Sequence, residues 1–280
     1  MTDAVILRKK GLGKNGCKYI ANGMKNKVEV INISEEYPKT SPDFVFRWGT
    51  TENVAGAKQI NTPNAICSTS DKRKFRKKLA SLGLAPKFWE DLSSLQESGF
   101  KNPVIVRPAF HQRSEDIYLC ETLTQIQSAL DKIDTTDGFY ISEYIPKVAE
   151  FRVFVAQNRA VWMIEKIPED KTAITWGCIQ DGDFEYVYWS DWNLAVVENA
   201  IRSFDEGPLH FGAVDVLLDK SGKAYTLEIN TAPWLTPYYG ESIGKVFDYM
   251  IDEKTSRFEI NPGKSWKNFI HPAISKEAVL

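Results

Sequence analysis

The sequence lacks the features of a secreted, zinc-binding or membrane-spanning protein. Its four cysteines are scattered, with no Cys-x-x-Cys pair and no Cys/His spacing, so we expect reduced structural thiols rather than zinc ligands or disulfides. The N-terminus has neither the basic nor the apolar region of a signal peptide, and no apolar run approaches the roughly 20 residues that span a bilayer. These absences predict a cytoplasmic protein with no membrane contact.

No charge of one sign dominates either. The formal net charge is −2, which gives no general reason to expect DNA or a membrane as partner. With 280 residues, 43% hydrophobic and 26% charged, the chain is typical of globular proteins and long enough for a large core in two lobes. Repeats and low-complexity segments are absent. The glycine-rich segment Gly11–Gly16 fits neither the P-loop nor the Rossmann pattern, and we interpret it as a lysine-bearing turn.

The first part of the chain alternates between strand and helix patterns. Strands are predicted at 4–8 and Val28–Ile33, with a helix at Lys18–Met24 between them. A third strand, Phe44–Phe46, runs into the loop Arg47–Thr51. This order predicts a small parallel α/β lobe with a ligand-binding loop at the carboxyl end of a strand.

The rest of the chain follows a different pattern. The predicted elements are helix Lys72–Leu82, strands Val104–Pro108 and Ile117–Cys120, helix Thr122–Ile133, strands Phe139–Ile145, Phe151–Val155 and Ala160–Lys166, and helix Asp191–Phe204. A β-β-α-β lobe followed by an antiparallel set is an α+β arrangement, unlike a doubly wound sheet.

The helix at Lys72–Leu82 has a densely basic face. Its cations are Lys72, Arg73, Lys74, Arg76, Lys77 and Lys78. A solvated face is the ordinary interpretation of such a run, and nucleic-acid contact ranks last among the alternatives. Lys72 is set apart because it opens the helix, directly after the potential cap Asp71.

A hairpin at residues 212–233 carries the strongest chemical signal. Its turn lies at Asp219–Gly222, and pairing Leu218 with Lys223 places Asp215 opposite Thr226. Glu228 is then a diagonal neighbour of Asp215, roughly 7–8 Å away. Asn230 shares the face of Glu228, so two carboxylates and an amide oxygen offer hard ligands for Mg²⁺ that also holds phosphate. A solvated hairpin face is the alternative, although an unpaired carboxylate in such an apolar strand would be costly.

An ordered series of short motifs strengthens this interpretation. In chain order they are Asp71-Lys72, Val104-Ile105-Val106-Arg107-Pro108, Ser142-Glu143-Tyr144-Ile145, Glu150-Phe151-Arg152-Val153-Phe154, Asp215, and Glu228-Ile229-Asn230-Thr231-Ala232-Pro233. The series resembles the ATP-grasp ligases, among them the RimK-like amino-acid ligases and D-alanine–D-alanine ligase, over roughly residues 68–240. The resemblance implies an α+β ATP-grasp fold: a pre-ATP-grasp α/β lobe at 1–66, then an ATP-grasp domain at 67–280. Its lid subdomain at about 100–146 and its metal-binding subdomain at 147–250 would clamp ATP between them.

The resemblance also implies roles for individual residues. Lys72 would contact ATP, and Arg107 would contact its phosphates. Glu143 with the backbone of Tyr144 and Ile145 would read adenine, and Glu150 would hold the ribose hydroxyls. Arg152 would face phosphate or a substrate carboxylate, Lys166 would reach the γ-phosphate, and Asp215, Glu228 and Asn230 would bind magnesium. Strand-edge surface charge is the alternative for Glu143 and Glu150. For Arg152, a solvent-facing position on an alternating strand is an equal alternative.

Two segments depart from the family pattern. The glycine-rich lid loop is replaced by Phe110–Ser114, where the side chains of His111 and Arg113 would supply the phosphate contacts usually made by backbone N–H groups. The Pro-Gly pair that ends the metal motif is Pro233-Trp234 here, so the entrance for the acceptor substrate has its own shape. The Arg47–Thr51 loop and several aromatic residues are further candidates for lining it, with a core position as the alternative for the aromatic residues: Trp176, Trp189, Trp192, Trp234, Tyr238 and Tyr239.

The predicted activity is ATP-dependent carboxylate–amine ligation through an acylphosphate, with release of ADP. The cofactors are ATP and Mg²⁺, two ions in the family pattern, with Mn²⁺ as an alternative metal. The substrates would be a carboxylate and an amine from an amino acid, a peptide or a protein terminus, and the oligomeric state is left open. Two alternatives remain: a non-catalytic nucleotide-binding module, and an ATP-grasp kinase that phosphorylates a hydroxyl or phosphate acceptor.

Overall fold

The computed structural model describes residues 4–11, 13–33, 42–52, 54, 56–109, 116–136, 138–176, 183–253, 255–260 and 266–275. The predicted lid loop Phe110–Ser114, with His111 and Arg113, lies outside these ranges, as does Cys178. In the part of the chain that is described, no helix is both long enough and apolar enough to span a bilayer.

The N-terminal sheet has four parallel strands in the order β2-β1-β3-β4. Its elements are β1 (Ala4–Arg8), α1 (Lys14–Gly23), β2 (Val28–Asn32), β3 (Phe44–Trp48) and β4 (Lys58–Ile60). The predicted parallel α/β lobe is confirmed. The turn predicted over Gly11–Gly16 is only half right, because Gly13 takes a left-handed conformation (φ 59°) and caps a helix that already begins at Lys14.

The loop predicted to bind a ligand, Arg47–Thr51, is largely interior. Arg47 and Trp48 still belong to β3, and both are fully buried. Trp48 stacks on Phe211, with ring centroids 5.8 Å apart, and the Arg47 guanidinium donates to the Glu52 carbonyl oxygen at 2.9 and 3.2 Å. These two side chains therefore stabilise the lobe, and their prediction as part of an acceptor site is wrong.

Two consecutive helices, α2 (Pro63–Ser70) and α3 (Lys72–Ser81), connect this lobe to the rest of the chain. The Asp71 side chain accepts a hydrogen bond from the Lys74 N–H, which confirms Asp71 as the cap of α3. The cations of the basic face are largely used within the molecule: Arg76 Nε donates to the Leu227 carbonyl oxygen at 2.7 Å, and Lys77 and Lys78 pair with Glu90 and Glu206.

The second sheet has four antiparallel strands in the order β5-β8-β6-β7. Its elements are β5 (Phe88–Trp89), α4 (Leu92–Glu97), β6 (Val104–Pro108), β7 (Tyr118–Cys120), α5 (Leu123–Leu130) and β8 (Phe139–Glu143). The predicted β-β-α-β order is confirmed, and β5 and α4 are additions to it. A capping box of Thr122 and Gln125 sets the start of α5.

The third sheet has five antiparallel strands in the order β11-β10-β9-β12-β13. Its elements are β9 (Lys147–Ala156), β10 (Arg159–Ile167), β11 (Asp183–Val187), α6 (Leu194–Asp205), β12 (Phe211–Asp219), β13 (Ala224–Asn230) and α7 (Pro237–Asp252), and the short helix α8 (Pro272–Ser275) follows. One face packs on α6, and the other packs on α7 and the N-terminal lobe. The predicted lobe and subdomain boundaries remain a proposal.

The β12–β13 hairpin differs from its predicted register. Leu218 pairs with Ala224, and a bulge places Leu227 as an extra residue in β13. Asp215 therefore lies directly opposite Glu228 rather than opposite Thr226. The physical reason is the wider turn, in which the Asp219 N–H donates to the Lys223 carbonyl oxygen. The two carboxylates are closer neighbours than the simple hairpin predicted.

The N-terminal lobe is held against the third sheet by a close contact between α1 and α7. A Cβ atom at Gly244 would overlap the Ile20 carbonyl oxygen, and one at Gly23 would overlap the backbone of Glu241. The helices therefore approach at a distance that only glycine allows. This contact fixes the lobe beside the sheet that carries the site.

The C-terminal segment closes over the β9–β10 turn. His271 is fully buried, and its ring is hydrogen-bonded on both sides: Nδ1 accepts from the Ala273 N–H at 3.2 Å, and Nε2 lies 3.1 Å from Gln157 Oε1. Because the Ala273 N–H can only donate, Nδ1 carries no proton and the ring is neutral. Burial, reinforced by the charge of Arg159, lowers the pKa of His271 to about 3.

Candidate active site

The strand register places charged residues of three strands at one level of one sheet face. Arg152 on β9 pairs with Asp215 on β12, which pairs in turn with Glu228 on β13. Lys166 lies on the same face of β10, two residues beyond Ile164, the partner of Arg152. These side chains form the floor of a cleft whose opposite wall is the second sheet, including Ile105, Arg107, Ser142 and Glu143. Its volume of about 320 Å³ lies within the range of ligand pockets.

Asp215 is the most enclosed acid of the cleft, with its side chain 3% exposed. Arg152 holds it in a two-pronged contact, Nε to Oδ1 at 2.7 Å and Nη2 to Oδ2 at 2.9 Å, and Lys166 Nζ lies 2.8 Å from Oδ2. Burial by itself would raise the pKa of Asp215, but the two cations outweigh it and hold the pKa below its usual range. Asp215 is therefore ionised in the folded protein at neutral pH.

Glu150 is held between two lysines. Lys166 Nζ lies 2.5 Å from Oε1, and Lys147 Nζ lies 2.6 Å from Oε2. All three side chains are at most 10% exposed. Lys147 was not among the predicted site residues, because it lies between the predicted strands Phe139–Ile145 and Phe151–Val155. In the structure Lys147 is at the start of β9.

Glu228 lies closer to solvent. Lys72 Nζ is 2.7 Å from Glu228 Oε2, and Asn230 Nδ2 donates to Oε1 at 3.1 Å. About a quarter of the Lys72 and Glu228 side chains is exposed. Burial would raise the pKa of Glu228, but Lys72 and the other nearby cations lower it well below its usual range. The predicted helix-opening lysine and the predicted metal ligand are thus brought into direct contact.

Arg107 supplies a cation from the opposite wall. It lies on β6, and its Nε atom is buried without a hydrogen-bond acceptor among the described residues. Burial lowers the pKa of Arg107, an effect that the neighbouring Arg76 reinforces and Tyr140 opposes. Leaving a buried donor unpaired costs roughly 1–3 kcal/mol, which an anion in the cleft would recover. Arg76 also lines the cleft and was not among the predicted site residues.

The predicted adenine-reading segment lines the same cleft. The Glu143 N–H donates to the Lys87 carbonyl oxygen at 2.9 Å, and the Tyr144 N–H donates to the Pro103 carbonyl oxygen at 3.0 Å. Because the Tyr144 N–H is already used, a backbone contact from Tyr144 to a base has to use the Tyr144 carbonyl oxygen. Apolar side chains complete the surroundings: Pro86, Ile105, Ile117, Ile174, Trp176, Leu217 and Leu227.

Four of the six aromatic residues predicted for an acceptor site divide into two groups, while Trp189 packs partly buried against the core and Tyr238 is exposed. Trp176 and Trp234 line the cleft, and Trp234 is 62% exposed beside Phe184. Trp192 and Tyr239 are buried in the hydrophobic core, so their prediction as acceptor-site residues is wrong. Only the chain fold distinguishes the groups, because both kinds lie in similar aromatic sequence.

The donor atoms suit a magnesium ion that shares its coordination with phosphate. Asp215, Glu228 and Asn230 offer carboxylate and amide oxygens, and Mg²⁺ commonly takes one or two protein carboxylates with substrate oxygens. Among the described residues no cluster of three or more acidic, histidine or cysteine side chains offers a metal site without such help. Six basic and four acidic side chains line the cleft, a net charge of +2 that favours a polyanionic ligand.

No family model matches the chain. The D-alanine–D-alanine ligase of Aquifex aeolicus is 25% identical over 236 residues, which cover 75% of this chain and 80% of that protein. The D-alanine–D-alanine ligase of Hydrogenovibrio crunogenus is 27% identical over 141 residues, so the chain spans about half of its length, 45%.

Solved structures show the same architecture. The ATP-grasp ligase PsnB complexed with a minimal precursor has a TM-score of 0.64 at 13% identity, covering 90% of this chain and 99% of that one. The D-alanine–D-alanine ligase from Bacillus anthracis has a TM-score of 0.62 at 19% identity, covering 90% and 96%. The α+β fold predicted from the motifs is confirmed. The chain has the fold of these ligases: the relatives it matches in sequence are D-alanine–D-alanine ligases, and its structural neighbours include an ATP-grasp ligase and a D-alanine–D-alanine ligase.

Proposed function

We propose that the chain is an ATP-dependent carboxylate–amine ligase that releases ADP. The observation that supports this most is the row of Arg152, Asp215 and Glu228 across three strands, at the floor of a net-positive cleft. This row places a preorganised cation beside carboxylate oxygens that can bind a metal ion. Phosphoryl transfer requires both, because they neutralise the charge of the phosphates. The names of the relatives, ligases that join D-alanine to D-alanine, support the same reaction class.

The cations have complementary roles in this proposal. Lys72 and Arg107 bind the phosphates from opposite walls, and the buried, unpaired Nε of Arg107 fits an anion. Arg152 and Lys166 stabilise the transferring phosphoryl group and the attacking carboxylate. Because Asp215 holds both of them, they are preorganised rather than recruited when the substrate arrives. His111 and Arg113 are retained as lid contacts to phosphate, outside the described residues.

Magnesium would be held by Asp215, Glu228 and Asn230, two ions in the family pattern, with Mn²⁺ as a substitute. When bound, it supplies charge neutralisation between the phosphates. In the present arrangement the Lys72 ammonium occupies one oxygen of Glu228. Lys72 therefore has to exchange this carboxylate for phosphate when nucleotide and metal bind together.

The nucleoside half of ATP would lie against the second sheet. In this proposal, Glu143 and the backbone of Tyr144 and Ile145 contact the adenine, and Glu150 contacts the ribose. A carboxylate has about four lone-pair sites, so the two lysine contacts fix Glu150 and still leave acceptors for hydroxyl groups. This explains how a buried, paired acid can still bind a ligand.

The reaction would proceed in two displacements. A carboxylate oxygen of the first substrate attacks the γ-phosphorus, and ADP leaves with the bridging oxygen of the broken bond. The amine of the second substrate then attacks the acyl carbon of the acylphosphate, and inorganic phosphate and one proton are released. The protein residues position the groups and balance charge. The substrates are an amino acid, a peptide or a protein terminus, and a cytoplasmic location is retained as a prediction.

ADP release with pooled substrates tests the proposal. Purified protein is incubated with ATP, Mg²⁺ and pools of L-amino acids, D-alanine and short peptides, and the products are analysed by mass spectrometry. We expect ADP and a condensed product in equal amounts, and neither with Glu228→Gln. A phosphorylated rather than condensed product would instead identify a kinase. Nucleotide binding without ADP release from any pool would favour the non-catalytic alternative.

A further inference from the structure

Lys147 is the centre of a contact group that the ligation chemistry does not require. Its ammonium donates to Glu150 Oε2 at 2.6 Å and to the Ile174 carbonyl oxygen at 3.0 Å. The same nitrogen lies 4.6 Å from the centre of the Trp176 ring. An ammonium has three donors, and these three directions use them all. Lys147 therefore has no donor to spare for a ligand, although it lines the cleft.

Two of the residues that Lys147 contacts, Ile174 and Trp176, belong to the 168–176 loop, which follows β10 and has no helix or strand of its own. Among the described residues, the other hydrogen bonds of this loop are local: Thr172 and Ala173 bond to Asp170, and Trp176 Nε1 donates to the Ala173 carbonyl oxygen. The Lys147–Ile174 bond joins the loop to the sheet. Although this loop has no regular secondary structure, the large side chain of Trp176 is buried at the cleft and only 6% exposed.

The two ends of this contact group face the same part of the cleft. Glu150 is the acid assigned above to the ribose, and the apolar side chains of Ile174 and Trp176 line the same cleft, as do those of Ile145 and Leu217. The Lys147 ammonium thus contacts both the Glu150 carboxylate and the loop that carries Ile174 and Trp176, and it fixes their positions relative to each other. An apolar wall beside a fixed acceptor is the arrangement that binds a flat, hydroxylated nucleoside.

We propose that Lys147 is a positioning residue, which fixes Glu150 and holds Trp176 and the 168–176 loop as the nucleoside wall of the cleft. The nucleoside part rests on the proposed function, whereas the attachment of the loop does not. Two separate measurements therefore test it, one on the loop and one on nucleotide affinity.

The first measurement is limited trypsin digestion without any ligand. Lys171 is an exposed cleavage site in the middle of the loop, and Lys166 before it is buried. We expect Lys147→Met, which keeps length but removes charge, to raise the rate of cleavage after Lys171 at least about fivefold, since local opening exposes the loop to the protease. Lys147→Arg should stay near the wild-type rate. Lys77→Met, which breaks the exposed pair with Glu90, is the matched control and should change nothing.

The second measurement is calorimetric titration with AMP-PNP and Mg²⁺. We expect Lys147→Met to weaken binding roughly tenfold or more, as for the loss of hydrogen bonds to a charged group, with Lys147→Arg restoring most of the affinity. Unchanged affinity of Lys147→Met would overturn the nucleoside wall, and unchanged cleavage would overturn the attachment of the loop. If it does not fold, Trp176→Leu carries the test: it leaves both Lys147 hydrogen bonds intact, and undiminished affinity would refute the wall.

The two arms distinguish this inference from the proposed function. Wild-type protein that does not bind AMP-PNP contradicts the proposed function and the nucleoside wall with it, while the digestion still decides whether Lys147 holds the loop. Wild-type protein that binds AMP-PNP, together with a Lys147→Met variant of equal affinity, contradicts the inference alone.

Discussion

Asp215→Asn and Glu228→Gln should differ sharply in stability although they remove the same charge from neighbouring positions. Asp215 is 3% exposed and contacts two cations, whereas Glu228 is 24% exposed and contacts one lysine that is itself 25% exposed. Both substitutions keep the size of the side chain. The comparison therefore measures how burial and the number of paired cations together set the cost of neutralising a carboxylate.

The expected magnitudes follow from these environments. Asp215→Asn removes the carboxylate that Arg152 pairs with directly and leaves Lys166 paired with Glu150, so we expect a loss of about 3–5 kcal/mol in the free energy of unfolding. Glu228→Gln leaves Lys72 able to turn toward water. Because solvent screens this partly exposed pair, we expect Glu228→Gln to lower the free energy of unfolding by only about 1 kcal/mol.

Urea denaturation followed by circular dichroism and by tryptophan fluorescence provides the assay. Both probes should give the same midpoint for the transition to be analysed as two-state. Losses that agree within 1 kcal/mol, or a larger loss for Glu228→Gln, would refute the burial argument. Both variants should be unable to release ADP, so activity alone does not distinguish them.

Three further predictions concern pH, packing and the cation exchange at the metal site. The contribution of His271 to the free energy of unfolding should be fully present above about pH 6.5 and fall by up to about 1.4 kcal/mol per pH unit as the pH drops toward 3, because His271 takes up a proton in the unfolded but not in the folded protein. His271→Gln should flatten this slope in urea titrations at successive pH values. Gly244→Ala should cost roughly 1–3 kcal/mol in chemical denaturation, because the new methyl group overlaps the Ile20 carbonyl oxygen. Lys72→Met should strengthen Mn²⁺ binding without nucleotide, measured by electron paramagnetic resonance, because it frees Glu228; unchanged or weaker binding would contradict the exchange.

The residues that line the cleft could be proposed from the sequence, because the motifs that carry them depend on the local order of residues. Asp71 before a basic helix and alternation within β12 and β13 bring Lys72, Asp215 and Glu228 to the cleft as predicted. Their contacts could not be predicted, since the bulge at Leu227 and the direct pairing of the carboxylates depend on the turn geometry.

Other features were missed because local signals pointed the other way. The helix α7 contains Gly240 and Gly244, which weaken a helical pattern but permit the close contact with α1. Arg47 and Trp48 resemble loop residues, yet both are fully buried in β3, and Trp48 packs on Phe211 of the third sheet. Lys147 becomes a site residue only when β10 and the 168–176 loop fold beside it.

Calorimetric titration of the wild-type protein and Glu228→Gln with AMP-PNP, with and without Mg²⁺, tests nucleotide binding in this cleft most directly. We expect saturable one-site binding that requires Mg²⁺ and that weakens about tenfold or more in Glu228→Gln, as for the loss of a charged ligand contact. Absence of binding to the wild-type protein, or equal binding by the two proteins, would contradict the assignment of Asp215, Glu228 and Asn230 as the metal-nucleotide site.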